Sequence, residues 1–183
     1  MATEKGERRR QALVEAAGAL LREGGFDALR HRAVAERAGL PLASTTYYFD
    51  SLDDLITAAV EHTSRQDLAA GRAALDSAEA PLDVVLDQLM GPGSRGGGLD
   101  AVLLRYEQLV GAGRRPYLAP LMRTLRVELD GLLAEAFARA GHQLDADGLR
   151  RVVETVDGAV LSALIEADPD PRAVARAALL RAL

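Results

Sequence analysis

The sequence predicts an all-α fold: a small N-terminal three-helix module with a helix-turn-helix, followed by a larger C-terminal helical bundle. Three observations predict the helices. Alanine- and leucine-rich runs repeat their apolar residues at helical spacing through most of the chain. Breakers and starters punctuate those runs at Gly24-Gly25, Gly39, Pro41, Pro81, Gly91, Pro116 and Pro171. The stretch Arg30–Phe49, RHRAVAERAGLPLASTTYYF, reads as two short helices joined by a tight turn containing glycine.

The elements follow in order. Residues 4–23 form a first helix, with Leu13, Ala16, Ala17, Leu20 and Leu21 on one face and Gly24-Gly25 as its stop. Phe26 and Leu29 plug the small core that this helix makes with the two short ones. The first short helix carries Val34, Ala35 and Ala38 inward and breaks at Gly39. Pro41 is expected at the first position of the second, where no amide hydrogen is needed. Ser44, Thr45, Thr46, Tyr47 and Tyr48 follow, and the helix ends near Phe49-Asp50. Ser51 to Asp54 resembles a capping box with Asp in place of Glu/Gln. It opens a longer helix, 52–77, with Leu52, Leu55, Ile56, Ala59, Val60 and Leu68 inward. At ~1.5 Å per residue that helix is long enough to leave the N-terminal module and enter a second one. Domains are therefore expected at 1–51 and 52–183.

Pro81 starts the next helix (Leu82, Val85, Leu86, Leu89), and GPGSRGGG at 91–98 reads as an open, flexible loop. A helix at 99–111 follows, broken over Gly111–Arg115. Residues 116–140 and 146–167 are the strongest periodic segments, and Asp170-Pro171 caps and starts a last helix. Their apolar stripes suit a core or a subunit interface, and Gly131 and Gly158 would permit close helix approach.

A chain of 183 residues, 49 % hydrophobic and 27 % charged, has enough apolar material for a real core. No run approaches ~18 uncharged apolar residues, so no membrane span is expected. The polar, basic start of the chain does not suggest a secretory leader. With no cysteine there are no disulfides or thiolate metal sites, which fits a reducing compartment. The net charge of −5 is unevenly placed. Residues 1–50 hold eight Lys/Arg and seven Asp/Glu, a net of +1; residues 51–183 hold fourteen and twenty, a net of −6. A basic face on an acidic body is compatible with DNA binding, because phosphate contacts need only a local patch.

A helix-turn-helix places its second helix in the major groove. Short polar groups suit that groove, so Ser44, Thr45 and Thr46 are candidates for base-edge or phosphate bonds, and the two threonine methyls for packing on thymine. Tyr47 and Tyr48 can reach phosphates through their hydroxyls, with Phe49 in the core. Arg30, Arg32 and the arm Arg8, Arg9 and Arg10 are phosphate or minor-groove candidates. Arg37 reads as a surface charge paired with Glu36 or solvent. Thr45→Ala and Tyr47→Ala are both expected to weaken DNA binding with little change in melting temperature.

The order of parts resembles the tetracycline-repressor (TetR) family. Arg10, Leu13, Ala16, Ala17 and Leu20 look like its first helix, Gly25-Phe26 its glycine-aromatic turn, and Val34-Ala35 with Ala38-Gly39-Leu40 its first short helix. Ser44 to Phe49 looks like its recognition helix, Ser51 to Leu55 like its Ser-Lys-Glu-Glu-Leu, and Asp157-Gly158 like a pair in its second-last long helix. The resemblance implies a dimeric, cytoplasmic, nucleoid-associated regulator, mostly repressors, binding a pseudo-palindromic DNA operator and released by a small-molecule effector. It implies that Pro41 and Leu42 lie in the DNA-binding set, and that the dimer forms through helices 116–140 and 146–167. His62, Gln66, Met90, Tyr106, Glu107, Met122 and Arg126 are candidates to line a ligand pocket, with effector binding reorienting helix 52–77. With three aromatics after residue 60, a flat polyaromatic effector is not especially favoured.

There are departures. Leu29 and Arg30 stand where the family has Thr/Ser, so the first short helix lacks its hydroxyl cap. His31 replaces a common apolar residue and Pro41 a capping Ser; Thr46 stands where Tyr is frequent. Leu42 and Leu52 replace basic groups, which keeps open a second reading: a helical-bundle interaction protein whose turn motif no longer binds DNA.

Neither an enzyme nor a cofactor is expected. Gly91–Gly96 satisfies Gly-x-Gly-x-x-Gly but follows a helix instead of a strand. His31, His62 and His142 lack metal-ligand spacing, and no Gly-x-Ser-x-Gly elbow occurs.

Overall fold

The computed structural model describes residues 4–77, 80–96 and 98–183. Among them it has helices and no strand: α1 (Glu4–Gly24), α2 (His31–Ala38), α3 (Ala43–Tyr48), α4 (Leu52–Asp76), α5 (Pro81–Met90), α6 (Gly98–Gly113), α7 (Ala119–Arg139), α8 (Ala146–Ile165) and α9 (Pro171–Ala182). Of the residues expected in the 91–98 loop, Gly97 lies outside the described residues.

The chain packs as two units, Met1–Arg65 with Glu107–Met122, and Gln66–Tyr106 with Arg123–Leu183. In the first, Leu13, Ala17, Val34, Leu55 and Ala59 are fully buried, with Leu29 and Phe49 nearly so. Burying each of the larger side chains contributes about 1.5–3 kcal/mol. The 107–122 segment is part of this core. Leu118 is fully buried in it, and Gln108 Nε2 donates to the Leu21 carbonyl at 2.6 Å. The Arg115 guanidinium lies 4.0 Å from the Phe26 ring centre. A Cβ on Gly111 would stand 2.9 Å from that ring, so only glycine lets this helix approach. Packing therefore joins residues 107–122 to the N-terminal elements.

In the second unit, Leu86, Met90, Leu132, Leu133, Phe137, Val156, Val160 and Leu179 are fully buried in one cluster. The stripes read on α7 and α8 are thus largely core stripes. Arg172 at the start of α9 donates to Asp87 Oδ1 (2.7 Å) and Asp83 Oδ1 (3.2 Å) of α5 and to Ser94 Oγ (2.7 Å).

That clamp bears on the glycine-rich stretch. Pro92–Arg95 forms a 3-10 turn with Ser94 buried, and α6 opens at Gly98, so the connector expected there contains a turn. Likewise Pro116–Leu118 is a 3-10 turn before α7 and does not begin that helix.

Helix ends follow local chemistry. Gly39 (φ 64°) closes α2: its amide donates to Glu36 O and the Leu40 amide to Ala35 O, the Schellman pattern. Gly141 (φ 89°) closes α7 the same way, through Ala138 O and Phe137 O. Ser51 Oγ accepts from the Asp54 amide at 3.1 Å and donates to Asp54 Oδ2 at 2.9 Å, a variant of the expected capping box. Asp170 caps α9 by accepting from Ala173 N at 3.0 Å, as its position before Pro171 predicts.

Candidate nucleic-acid interface

Three helices position the candidate surface. α1 and α2 supply the buried faces Leu13–Ala17 and Val34–Ala35, and α3 is set on them by Thr45 and Phe49. A six-residue helix has too few internal bonds to persist alone, so its placement comes from this packing.

Along α3 the residues divide sharply. Thr45 is fully buried and its hydroxyl donates to the Leu42 carbonyl at 2.8 Å. It presents no atom at the surface, which corrects its reading as a readout residue. The hydroxyl on an apolar face carried no signal in the sequence, since Thr45 sits between two similar residues. Thr46 is exposed and its hydroxyl donates to Ala43 O at 3.3 Å. Tyr47 is 80 % exposed, whereas Tyr48 is half-buried against the core and meets Tyr47 edge-on at 4.8 Å between ring centres. Ser44 is half-buried; Pro41 and Leu42 are exposed, Leu42 at 52 %. Pro41 is not the first residue of α3: it precedes the helix, and its carbonyl accepts from Ser44 N at 2.8 Å. Two residues before the helix, its fixed φ serves the turn.

The cations surround this strip. Arg30 is exposed at the cap of α2, where no side-chain cap bond forms, as the missing hydroxyl predicts. Arg32 is exposed and donates to Glu36 at 3.0 Å. Arg8 and Arg9 are exposed on α1, Arg8 lying 3.7 Å from Glu4. Arg10 stacks 5.2 Å from the Phe49 ring centre. Arg37 pairs with Glu23 of α1, not with Glu36, and the guanidinium holds that carboxyl below its usual range.

The proposed ligand candidates fall in both units. In the first, His62 and Met122 are half-buried and Glu107 is exposed. In the second, Met90 is fully buried core, Gln66 and Arg126 are exposed, and Arg126 pairs with Asp130 at 2.7 Å. The Tyr106 hydroxyl donates to Asp157 Oδ1 of α8 at 2.8 Å. Burial pushes the Asp157 carboxyl up, against the Tyr106 bond and the charges of Arg126 and Arg105. Asp157 was not among the expected site residues, although an acid between Val156 and Val160 on an apolar stripe is the signal that would have found it.

Comparison with known proteins decides the family. The description "Bacterial regulatory proteins, tetR family" matches residues 13–59, and "Tetracyclin repressor-like, C-terminal domain" matches 76–183. The chain belongs to the TetR family. No curated protein matches it. Among solved structures, the multidrug binding protein EbrR complexed with imidazole is 34 % identical, covering 96 % of this chain and 90 % of that one, with a TM-score of 0.68. EbrR complexed with proflavin is 32 % identical over 96 % and 99 % of the two chains, TM-score 0.68. The TetR-family member SCO1917 from Streptomyces coelicolor A3 is 31 % identical over 96 % and 98 %, TM-score 0.62. As a TetR-family regulator fold, the chain thus joins an N-terminal helix-turn-helix to a C-terminal helical domain.

Proposed function

We propose that this TetR-family protein is a repressor that binds a pseudo-palindromic DNA operator as a homodimer and is released by a small-molecule effector. One observation carries the reading: Leu42, Thr46 and Tyr47 are exposed on a helix whose other side, Thr45 and Phe49, is buried, with Arg30, Arg32, Arg8 and Arg9 exposed on the adjoining helices. That is the distribution a groove-reading helix flanked by phosphate-binding cations requires. Arg30 and Arg32 supply charge that relatives place at the positions of Leu42 and Leu52.

Self-association is supported by apolar residues left exposed on the late helices: Leu161 and Ile165, with exposed Gly158 on the same face of α8, Leu180 on α9 and Val127 on α7. The interface expected over residues 116–140 and 146–167 would then centre on α8. For the effector, Asp157 beside Tyr106 offers a carboxylate next to the apolar cluster of the second unit. EbrR has been solved with imidazole, proflavin and ethidium, all nitrogen bases or cations. A small organic cation is the matching ligand class. Among the described residues no helix is long and apolar enough to cross a membrane.

Gel retardation with DNA flanking the protein's own gene tests the reading. Binding should be tight at about 50 mM salt, fall steeply by about 200 mM, and be relieved by malachite green, an organic cation with which EbrR has also been solved. Absence of binding at low salt would overturn it in favour of the interaction-protein reading.

A further inference from the structure

The recognition strip lacks the side chains that read guanine and adenine in the usual way. Between Arg37 and Arg65 the chain has no Lys, Arg or Gln, and it contains no Asn anywhere. Guanine's major-groove edge presents two acceptors and is read by Arg or Lys; adenine is read bidentately by Asn or Gln. Of the five hydroxyls on α3, two are turned onto the backbone. Thr45 spends its proton inside on Leu42 O, and Thr46 directs its proton to Ala43 O, leaving its methyl and an acceptor lone pair. Past the helix, Asp50, Asp53 and Asp54 are exposed carboxylates, which guanine's N7 and O6 repel. Apart from the Tyr47 phenol, what the strip exposes is apolar: Leu42 at 52 %, with Ala43 and Thr46 beside it. Thymine's C5-methyl is the one apolar feature on a major-groove base edge.

We infer that this protein reads its operator through thymine methyl groups: thymines lie under Leu42, Ala43 and Thr46, and no guanine is held bidentately by α3. The inference rests on the DNA-binding reading above. It makes the specificity of each half-site depend on shape and methyl burial, with Arg30, Arg32 and the α1 arm acting on phosphates.

The test uses the full-length protein and a duplex selected from a random pool at low salt. Each thymine is replaced singly by deoxyuridine, and in a parallel set each guanine by 7-deazaguanine. Uracil at two or more positions in a half-site should weaken binding about four-fold each, the effect of withdrawing one buried methyl. The 7-deazaguanine set should change affinity little. Leu42→Ala, a substitution at an exposed position, should abolish the uracil effect at one thymine while leaving the melting temperature unchanged. Binding that tolerates uracil everywhere, or that is lost with 7-deazaguanine, overturns the methyl readout while sparing the DNA-binding reading. A protein that selects no duplex overturns both.

Discussion

At the residue scale, neighbouring hydroxyl-bearing side chains have opposite fates. Thr45 lies in the core with its hydroxyl satisfied by Leu42 O, while Tyr47 stands 80 % exposed. Thr45→Val keeps the volume and removes the hydroxyl bond, while the Thr45 amide still donates to the Leu42 carbonyl at 3.0 Å, so it should cost no more than about 1 kcal/mol of stability, read as a lower melting temperature. Tyr47→Ala should change stability by less than about 0.5 kcal/mol while weakening operator binding in gel retardation. Equal melting losses from the two would show that Tyr47 is also structural. Asp157 makes a pH prediction. Its carboxyl is raised above the ordinary value of 3.8 by burial, so the folded chain holds this proton more tightly than the unfolded one. Its destabilising effect is complete above the raised value and vanishes as the pH falls to the ordinary carboxylate range. Asp157→Asn keeps an acceptor for Tyr106. It should therefore be more stable than the parent at about pH 7, with the advantage gone near pH 4, as followed by urea unfolding. An advantage that does not vary with pH would refute the assignment.

At the scale of elements, several helix ends were legible where glycine or a capping side chain marked them, although α6 runs past Gly111, read as its break, to Gly113. Gly39 and Gly141 take left-handed backbone and close Schellman motifs; Ser51 and Asp170 cap. α8 was read two residues too long because its end is made by Ala167, at φ 54°, with Ala167 N on Leu164 O and Asp168 N on Ala163 O. An alanine there carries the steric cost of the left-handed region without announcing it. Ala167→Gly should consequently raise stability by up to about 1 kcal/mol in thermal or urea unfolding; a loss would show that the turn is not strained. Pro41 was misplaced for a related reason, since proline favours a turn as readily as a helix start. The turn at Pro92–Arg95 was not legible, because Arg172, which donates to Ser94 Oγ, lies far along the chain.

At the scale of the whole molecule, dimerisation is the property on which the proposed function depends. Leu161→Glu combined with Ile165→Glu places carboxylates on the exposed apolar face of α8 without touching the core. The variant should sediment as a monomer and lose operator affinity, because one short recognition helix reads only a few base pairs. A variant that still sediments as a dimer would move the interface elsewhere.

Residue spacing alone determined the helical class, the helix-turn-helix at Arg30–Phe49 and most helix boundaries, because periodicity and capping are local. Only the tertiary structure decided that Thr45 faces inward, that Arg37 pairs with Glu23, and that residues 107–122 share a core with α1. It likewise decided that Asp157 meets Tyr106. Each of these joins groups distant in the chain or turns a side chain about a short helix, and neither leaves a periodic trace in the sequence.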